Sequence, residues 1–260
     1  MEPGVPRRRR GCYIRFMLSL QAIPILSDNY AWLLRDAASG AVAIVDPAEV
    51  APVAAAIDAA IDAAGGRLDL ILLTHHHADH VAGTDAIRDR YGARVVGARA
   101  DAHRLPRLDL PVAEGDRVAL GNAEARVLDT PGHTRGHIAY VFATPSVLLC
   151  GDTLFSLGCG RLLEGTAAEM FASLAKFADL PGDTQVCCGH EYTESNARFA
   201  EHADAGNTVL AAYAAGVRAK RAAQQPTVPS RLGDERACNP FLRAPDVATL
   251  ADLRARKDRF

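Results

Sequence analysis

Asp69-Leu70-Ile71-Leu72-Leu73-Thr74-His75-His76-His77-Ala78-Asp79-His80 decides how this chain of 260 residues folds. Its first part, Asp69 to Leu73, is a bounded apolar run of strand length with no helical periodicity, which reads as a buried strand. Its second part sets His75, His77, Asp79 and His80 at metal-ligand spacing directly behind that run. Ligands at the end of a strand face a solvent cleft. In the loop that follows, His75 and His77 can converge on one ion while Asp79 and His80, on the next turn, converge on a neighbour. Imidazole nitrogen and carboxylate oxygen are donors that Zn²⁺ and other borderline divalent ions accept. A plain alternative makes Asp79 the cap of an amphipathic helix over Val81 to Tyr91, but capping leaves His75, His77 and His80 unexplained.

Working outward, Thr130-Pro131-Gly132-His133, Leu148-Leu149-Cys150-Gly151-Asp152 and Val186-Cys187-Cys188-Gly189-His190 each read as strand, glycine turn, then ligand. Distant parts of a sheet bring side chains to a common rim in this way. Seven of the nine histidines lie in or beside these segments and the opening motif, where a solvated set would scatter. His76 and His137 fall beside an already filled ligand set and read as supporting or packing residues.

This pattern resembles that of the metallo-β-lactamase superfamily, His-x-His-x-Asp-His followed by separate His, Asp and His ligands, and matches it at every position. The resemblance implies an αββα four-layer sandwich, with His75, His77 and His133 on one metal, Asp79, His80 and His190 on the other, and Asp152 bridging them. It also implies a water or hydroxide shared between two cations, oriented by Asp79 and Asp152, with its pKa lowered enough to act as a nucleophile at neutral pH. Zinc is the first choice of metal, with iron or manganese as alternatives.

The superfamily hosts many activities, so the flanking residues carry the choice of substrate. Ser27-Asp28-Asn29-Tyr30, Gly151-Asp152-Thr153-Leu154-Phe155, Gly158-Cys159-Gly160-Arg161, Gly189-His190-Glu191-Tyr192-Thr193, Asn239-Pro240-Phe241 and the closing Leu253 to Phe260 together look like the glyoxalase II (hydroxyacylglutathione hydrolase) family. That likeness implies hydrolysis of S-D-lactoylglutathione to glutathione and D-lactate, in methylglyoxal disposal, and assigns glutathione contacts to Arg161, Tyr192, Arg254 and Lys257. Arg254 and Lys257 stand three apart, so on a helix they share a face and could clamp a carboxylate; without the resemblance they read as a solvated helix end. Two positions depart from the family. Leu163 stands where many members carry an aromatic residue, and Arg161 replaces a lysine seen in some, with a different fork geometry. Both bear on glutathione affinity rather than on hydrolysis. The rival within the superfamily is a mononuclear-iron glutathione persulfide dioxygenase, against which the full seven-ligand set counts.

Composition agrees with an enzyme of this kind. A net charge of −2 gives no general pull toward nucleic acid or anionic membranes, so a small anionic substrate must be held by local cations. The six cysteines show neither a paired framework nor Cys-x-x-Cys zinc spacing and read as reduced thiols suited to the cytoplasm. No run approaches the roughly 18 apolar residues of a membrane span. Residues 1–16, with Arg7 to Arg10, read as a flexible tail or an extension upstream of an alternative start, 17–191 as the metal-binding domain and 192–260 as a helical, glutathione-binding domain. A monomer is the default.

The remaining elements follow from pattern. Strands are expected at Leu18 to Ile25, Tyr30 to Arg35, Ala41 to Asp46, Arg94 to Gly97, Val118 to Leu120, Ala125 to Leu128 and Thr184 to Cys188. Val53, Ile57 and Ile61 keep helical spacing within Val50 to Ala64, before Gly65-Gly66. Further helices are expected at Ala167 to Ala178, Glu194 to Ala203, Asn207 to Gln224 and Pro245 to Lys257, with Pro226 to Asn239 as a loop.

Overall fold

The computed structural model describes residues 18–63 and 66–260; the expected tail over 1–16 and the expected helix end at residue 64 lie outside the described residues. Two six-stranded sheets form the centre. The first runs in the order β1 (Leu18–Ile25), β2 (Asn29–Asp36), β3 (Ala41–Val45), β4 (Arg67–Leu72), β5 (Arg94–Ala98), β6 (Leu110–Val112). Its first three strands are antiparallel neighbours and the rest pair in parallel. Parallel strands need crossovers, here α1 (Val50–Asp62) between β3 and β4, then α2 (Ala78–Val81) and α3 (Thr84–Tyr91) between β4 and β5. Crossover helices cover the sheet, so Ala43 to Val45 and Leu70 to Leu72 are buried on both faces, as the unbroken apolar runs require.

The second sheet contains β7 (Arg117–Leu120), β8 (Ala123–Asp129), β9 (Ile138–Ala143), β10 (Ser146–Gly151), β13 (Gln185–Cys188) and β14 (Ser230–Arg231), with β7 and β14 at its edges; β11 (Leu154–Phe155) and β12 (Gly158–Cys159) make a separate hairpin. Edge strand β7 alternates exposed and buried residues, the period of a half-solvated strand. One continuous core joins the sheets. Polar bonds cross it too: Tyr140 Oη on β9 donates to Leu73 O at 3.0 Å, and Trp32 Nε1 on β2 to Cys188 O at 2.9 Å.

Helix α4 (Ala167–Ala175) opens with a capping box between Thr166 and Glu169 and ties to the end of β8, Ser173 Oγ donating to Pro131 O and Lys176 Nζ to Asp129 O. Beyond β13 come α5 (Thr193–Ala203), α6 (Thr208–Ala222), α7 (Leu232–Cys238) and α8 (Val247–Lys257). A small core of Leu157, Ala197, Ala200, Leu210, Ala214, Val217 and Cys238 joins three of them to the β11–β12 turn.

Two expectations need correction. The loop expected over Pro226 to Asn239 contains β14 and α7, because Glu235 turns inward to accept Leu157 N at 2.8 Å and Asn239 Nδ2 at 3.1 Å. The helix expected over Val81 to Tyr91 is broken at Ala82–Gly83 into α2 and α3, and Asp79 caps neither. A Cβ at Gly83 would lie 2.3 Å from Pro47 O, so close approach of the 47–48 segment demands glycine at the break.

Candidate metal centre

Strands β3, β4, β8, β10 and β13 all release their chains at the same rim, and each delivers one polar group there: Asp46, the His75–His80 loop, His133, Asp152 and His190. Close packing of these ends requires two glycines. A Cβ at Gly151, where φ is +46°, would lie 2.4 Å from Thr74 Oγ1, and one at Gly189 would lie 2.4 Å from Asp152 Oδ1.

The side chains fall into two groups. His77 Nδ1 lies 3.1 Å from His75 Nε2 and 3.0 Å from His133 Nε2. On the other side, His190 Nε2 lies 3.4 Å from His80 Nε2 and 3.4 Å from Asp79 Oδ2. Asp152 stands between them, Oδ2 at 3.5 Å from His133 Nε2 and 3.3 Å from His190 Nε2, with Oδ1 at 3.4 Å from His80 Nε2. Donors about 2.05 Å from a tetrahedral ion stand about 3.3 Å apart, so these separations suit a shared cation in each group. Asp152 Oδ1 is moreover buried without a hydrogen-bond partner, a position a cation satisfies. The His/Asp cluster is therefore compatible with a dinuclear metal site.

Four of the five imidazoles, those of His80, His190, His133 and His75, are turned by a partner on the other nitrogen. His80 Nδ1 meets Asp46 Oδ2 at 2.9 Å, His190 Nδ1 meets Asp28 Oδ1 at 2.8 Å, His133 Nδ1 meets Arg161 O at 2.9 Å and His75 Nδ1 meets Thr74 Oγ1 at 3.0 Å. Such partners fix the tautomer and aim the free nitrogen inward. Asp46 also comes within ligand distance of His75 and His80, but it already accepts Thr74 N at 2.9 Å and Thr74 Oγ1 at 2.6 Å, so it orients rather than coordinates. Asn29 Nδ2 holds Asp79 Oδ2 at 3.0 Å.

Electrostatics follow burial and neighbours. Burial pushes the pKa of Asp152 up, yet His80 and His190 together hold it well below the usual carboxylate range. Burial lowers His80 and His190, and the Asp152 carboxylate, with Asp46 for the one and Asp28 for the other, reverses the sign and raises both. Burial, reinforced by neighbouring imidazoles, drives His75 and His137 well below their ordinary value. His137, beside the ligand set, accepts Asp152 N on Nε2 at 3.1 Å and stacks on His75 at 4.8 Å between centroids.

A cavity of about 690 Å³ opens from this rim toward the C-terminal helices, and Arg161, Tyr192, Arg254 and Lys257 all line it. Tyr192 stacks on the His190 ring at 4.5 Å. Arg254 is buried and largely engaged: Nη1 donates to Cys159 O at 2.7 Å and Nη2 pairs with Asp258 at 2.9 Å. Lys257 Nζ donates to Ser195 O at 3.1 Å and Ser195 Oγ at 3.2 Å. Burial, with Arg254, Arg198 and Arg161 nearby, pushes its ammonium down to about 8. Arg161 projects into solvent, 3.7 Å from Asp258. Glu191 is occupied with Tyr30 Oη at 3.0 Å and Thr227 N at 2.8 Å, so it serves the fold and not the site.

Sequence reasoning passed over Asp46 and Arg198. Asp46 follows the apolar run Ala41–Val45 just as the candidate ligands follow theirs, and that placement is the signal that could have found it. Arg198 lines the cavity one helical turn beyond Ser195, and a single surface arginine leaves no mark in a sequence.

A sandwich of two sheets with a histidine-rich rim defines the class, and residues 26–190 match the family model of the metallo-beta-lactamase superfamily. Residues 191–260 match the model described as hydroxyacylglutathione hydrolase C-terminus. The chain belongs to the hydroxyacylglutathione hydrolase family within that superfamily. It is 54% identical to a hydroxyacylglutathione hydrolase of Acidiphilium cryptum, over 93% of this chain and 97% of the relative. It is 51% identical to one of Cereibacter sphaeroides, over 94% and 99%. Among solved structures it resembles ETHE1 from Myxococcus xanthus, with a TM-score of 0.70 at 24% identity, covering 92% of this chain and 90% of the other. A metallo-beta-lactamase from Staphylococcus aureus gives 0.69 at 22%, covering 94% and 71%. Those two likenesses concern the fold alone.

Proposed function

We propose that this chain hydrolyses S-(2-hydroxyacyl)glutathione thioesters, chiefly S-D-lactoylglutathione, to glutathione and the 2-hydroxy acid, as the second step of methylglyoxal disposal in the cytoplasm. The observation that carries the reading is the placement of Asp152 between the two imidazole groups, at the mouth of a cavity whose far wall is cationic. His75, His77 and His133 would hold one divalent cation, Asp79, His80 and His190 the other, with Asp152 shared; zinc is the first choice. Such a pair supplies Lewis acidity and activates water at neutral pH.

The chain's own residues do the rest. Asp46, Asp28 and Asn29 aim the second set of ligands, and Thr74 and Arg161 O aim the first. Lys257, Arg161 and Arg198, together with the donors Arg254 has left over, face the carboxylates of the tripeptide, and Tyr192 presents a ring against the peptide. Phe155 and Tyr192 narrow the approach beside His190. A thiol with a pKa near ~8.5 departs as thiolate without a proton donor, so the site needs no separate general acid. The six cysteines have no part in the scheme: the five among the described residues are free and buried. No helix among the described residues is long and apolar enough to cross a membrane, and the reading takes a monomer acting on a small molecule.

The test is loss of thioester absorbance with purified protein of known metal content. Hydrolysis abolished by chelation, at about two metals per chain, supports the reading. Oxygen-dependent sulfite production from glutathione persulfide without thioester loss overturns it in favour of a dioxygenase.

A further inference from the structure

We propose that Glu164, with Asp101 and Arg104, is a positioning hub that holds the His75, His77 and His133 imidazoles in ion-binding geometry and so sets how tightly that ion is retained. The proposal rests on the two-ion reading above.

Four chain segments meet at this carboxylate. Glu164 Oε1 and Oε2 accept Arg104 Nη1 and Nη2 at 2.5 and 3.1 Å, and Oε2 also accepts Arg135 N at 2.9 Å. Its own backbone N donates to His133 O at 3.3 Å. Arg135 Nε returns to Glu164 O at 3.2 Å, so the His133 loop is gripped through its backbone on both sides of Thr134. His133 Nδ1 is held by Arg161 O, three residues before Glu164 on the same segment.

The His75–His77 loop is held from the same place. His76 Nδ1 meets Asp101 Oδ2 at 3.0 Å, and its Nε2 lies 3.5 Å from Glu164 Oε1. Asp101 is buried, and its second oxygen accepts Arg104 Nε at 2.6 Å, which closes a ring of four side chains. His76 shares its peptide bonds with His75 and His77, so holding its ring through Nδ1 on Asp101, with Nε2 facing Glu164, restrains the backbone between two ligands. A Cβ at Gly136 would fall 2.4 Å from Asp101 Cβ; only glycine lets the 133–137 loop approach the hub so closely.

None of His76, Asp101, Arg104 and Glu164 lines the substrate cavity; the last three line a separate recess with Arg135 and Gly136. The hub therefore acts through the ligands and leaves the peptide contacts alone. Partners that orient metal ligands change metal affinity or activity by about 10–100-fold when removed, which sets the expected size.

The experiment compares Glu164→Ala, Glu164→Gln and Asp101→Asn with the parent protein. Chelator titration gives metal retained per chain, cobalt-loaded spectra identify the site emptied, and kinetics are measured on S-D-lactoylglutathione. Glu164→Ala should release one metal equivalent at chelator concentrations about 10–100-fold lower, with the other unmoved. Its kcat should fall with occupancy and recover with added metal, while KM stays within about twofold. Glu164→Gln should fall between, since its amide oxygen still accepts Arg135 N, and it carries the test should the alanine variant not fold. Unchanged release of both equivalents overturns the proposal, as does joint loss of both with a lower melting temperature in the metal-stripped protein. A parent protein that holds two metals but leaves the thioester intact overturns the thioesterase reading instead.

Discussion

Lys257 offers the sharpest pH test of the proposed glutathione-binding wall. Two of its ammonium hydrogens go to Ser195 O and Oγ, leaving one for the cavity, and its pKa is pushed from 10.5 down to about 8 by burial and by Arg254, Arg198 and Arg161. A lysine is charged below its pKa, so the cationic contact is present at neutral pH and disappears as pH rises through about 8. One unit above the pKa only about a tenth of the side chain remains charged, so kcat/KM, which reports the free enzyme, should fall by about tenfold between its plateau and pH ~9. Once glutathione carboxylate is bound the ammonium is stabilised, and the falling limb in kcat should lie at higher pH or vanish. Lys257→Arg keeps its charge across the range and should remove the limb, while Lys257→Ala should show a low, flat profile. The assay is initial-rate thioester loss from pH ~6.5 to ~9.5, corrected for spontaneous hydrolysis. A limb that survives unchanged in Lys257→Arg would refute the reasoning.

Asp152→Asn removes the charge shared by both ligand groups; metal content and kcat should fall together, kcat by more than about 100-fold, since loss of an outer partner alone costs about 10–100-fold. Unchanged turnover at full metal loading contradicts the scheme. Gly189→Ala would put a Cβ 2.6 Å from His80 Cε1 as well as against Asp152, so overpacking of about 1–3 kcal/mol and weaker metal retention should appear in melting and chelator titrations. Arg254→Ala should raise KM and also lower stability by about 1.5–3 kcal/mol through loss of the Cys159 and Asp258 contacts; an unmoved denaturation midpoint would show that those contacts do not hold α8. Arg198→Ala should lower kcat/KM by about 3–10-fold at low ionic strength with kcat unchanged, and the difference should shrink in high salt. Equal salt dependence in the two proteins would remove Arg198 from the binding wall.

By itself the sequence determined the kinds of donor at the site and where along the chain they lie. His75, His77, Asp79, His80, His133, Asp152 and His190 each follow an apolar run, and a buried strand must end where its chain reaches polar surroundings, so local pattern suffices to find them. It also carried most helices and strands, whose periodicity is local. Helix α7 escaped because Leu232 to Cys238 has little apolar periodicity of its own and is held by Glu235 reaching to Leu157 and Asn239. Only the tertiary structure decided which nitrogen of each imidazole faces inward, since Asp46, Asp28 and Arg161 O come from 34, 162 and 28 residues away. Only it showed that Arg254 is largely engaged while Lys257 keeps a donor for the cavity, because hydrogen-bond occupancy depends on neighbours such as Cys159, 95 residues distant. Residue chemistry and period are written along the chain, whereas orientation, protonation and free valence arise from contacts that folding alone creates.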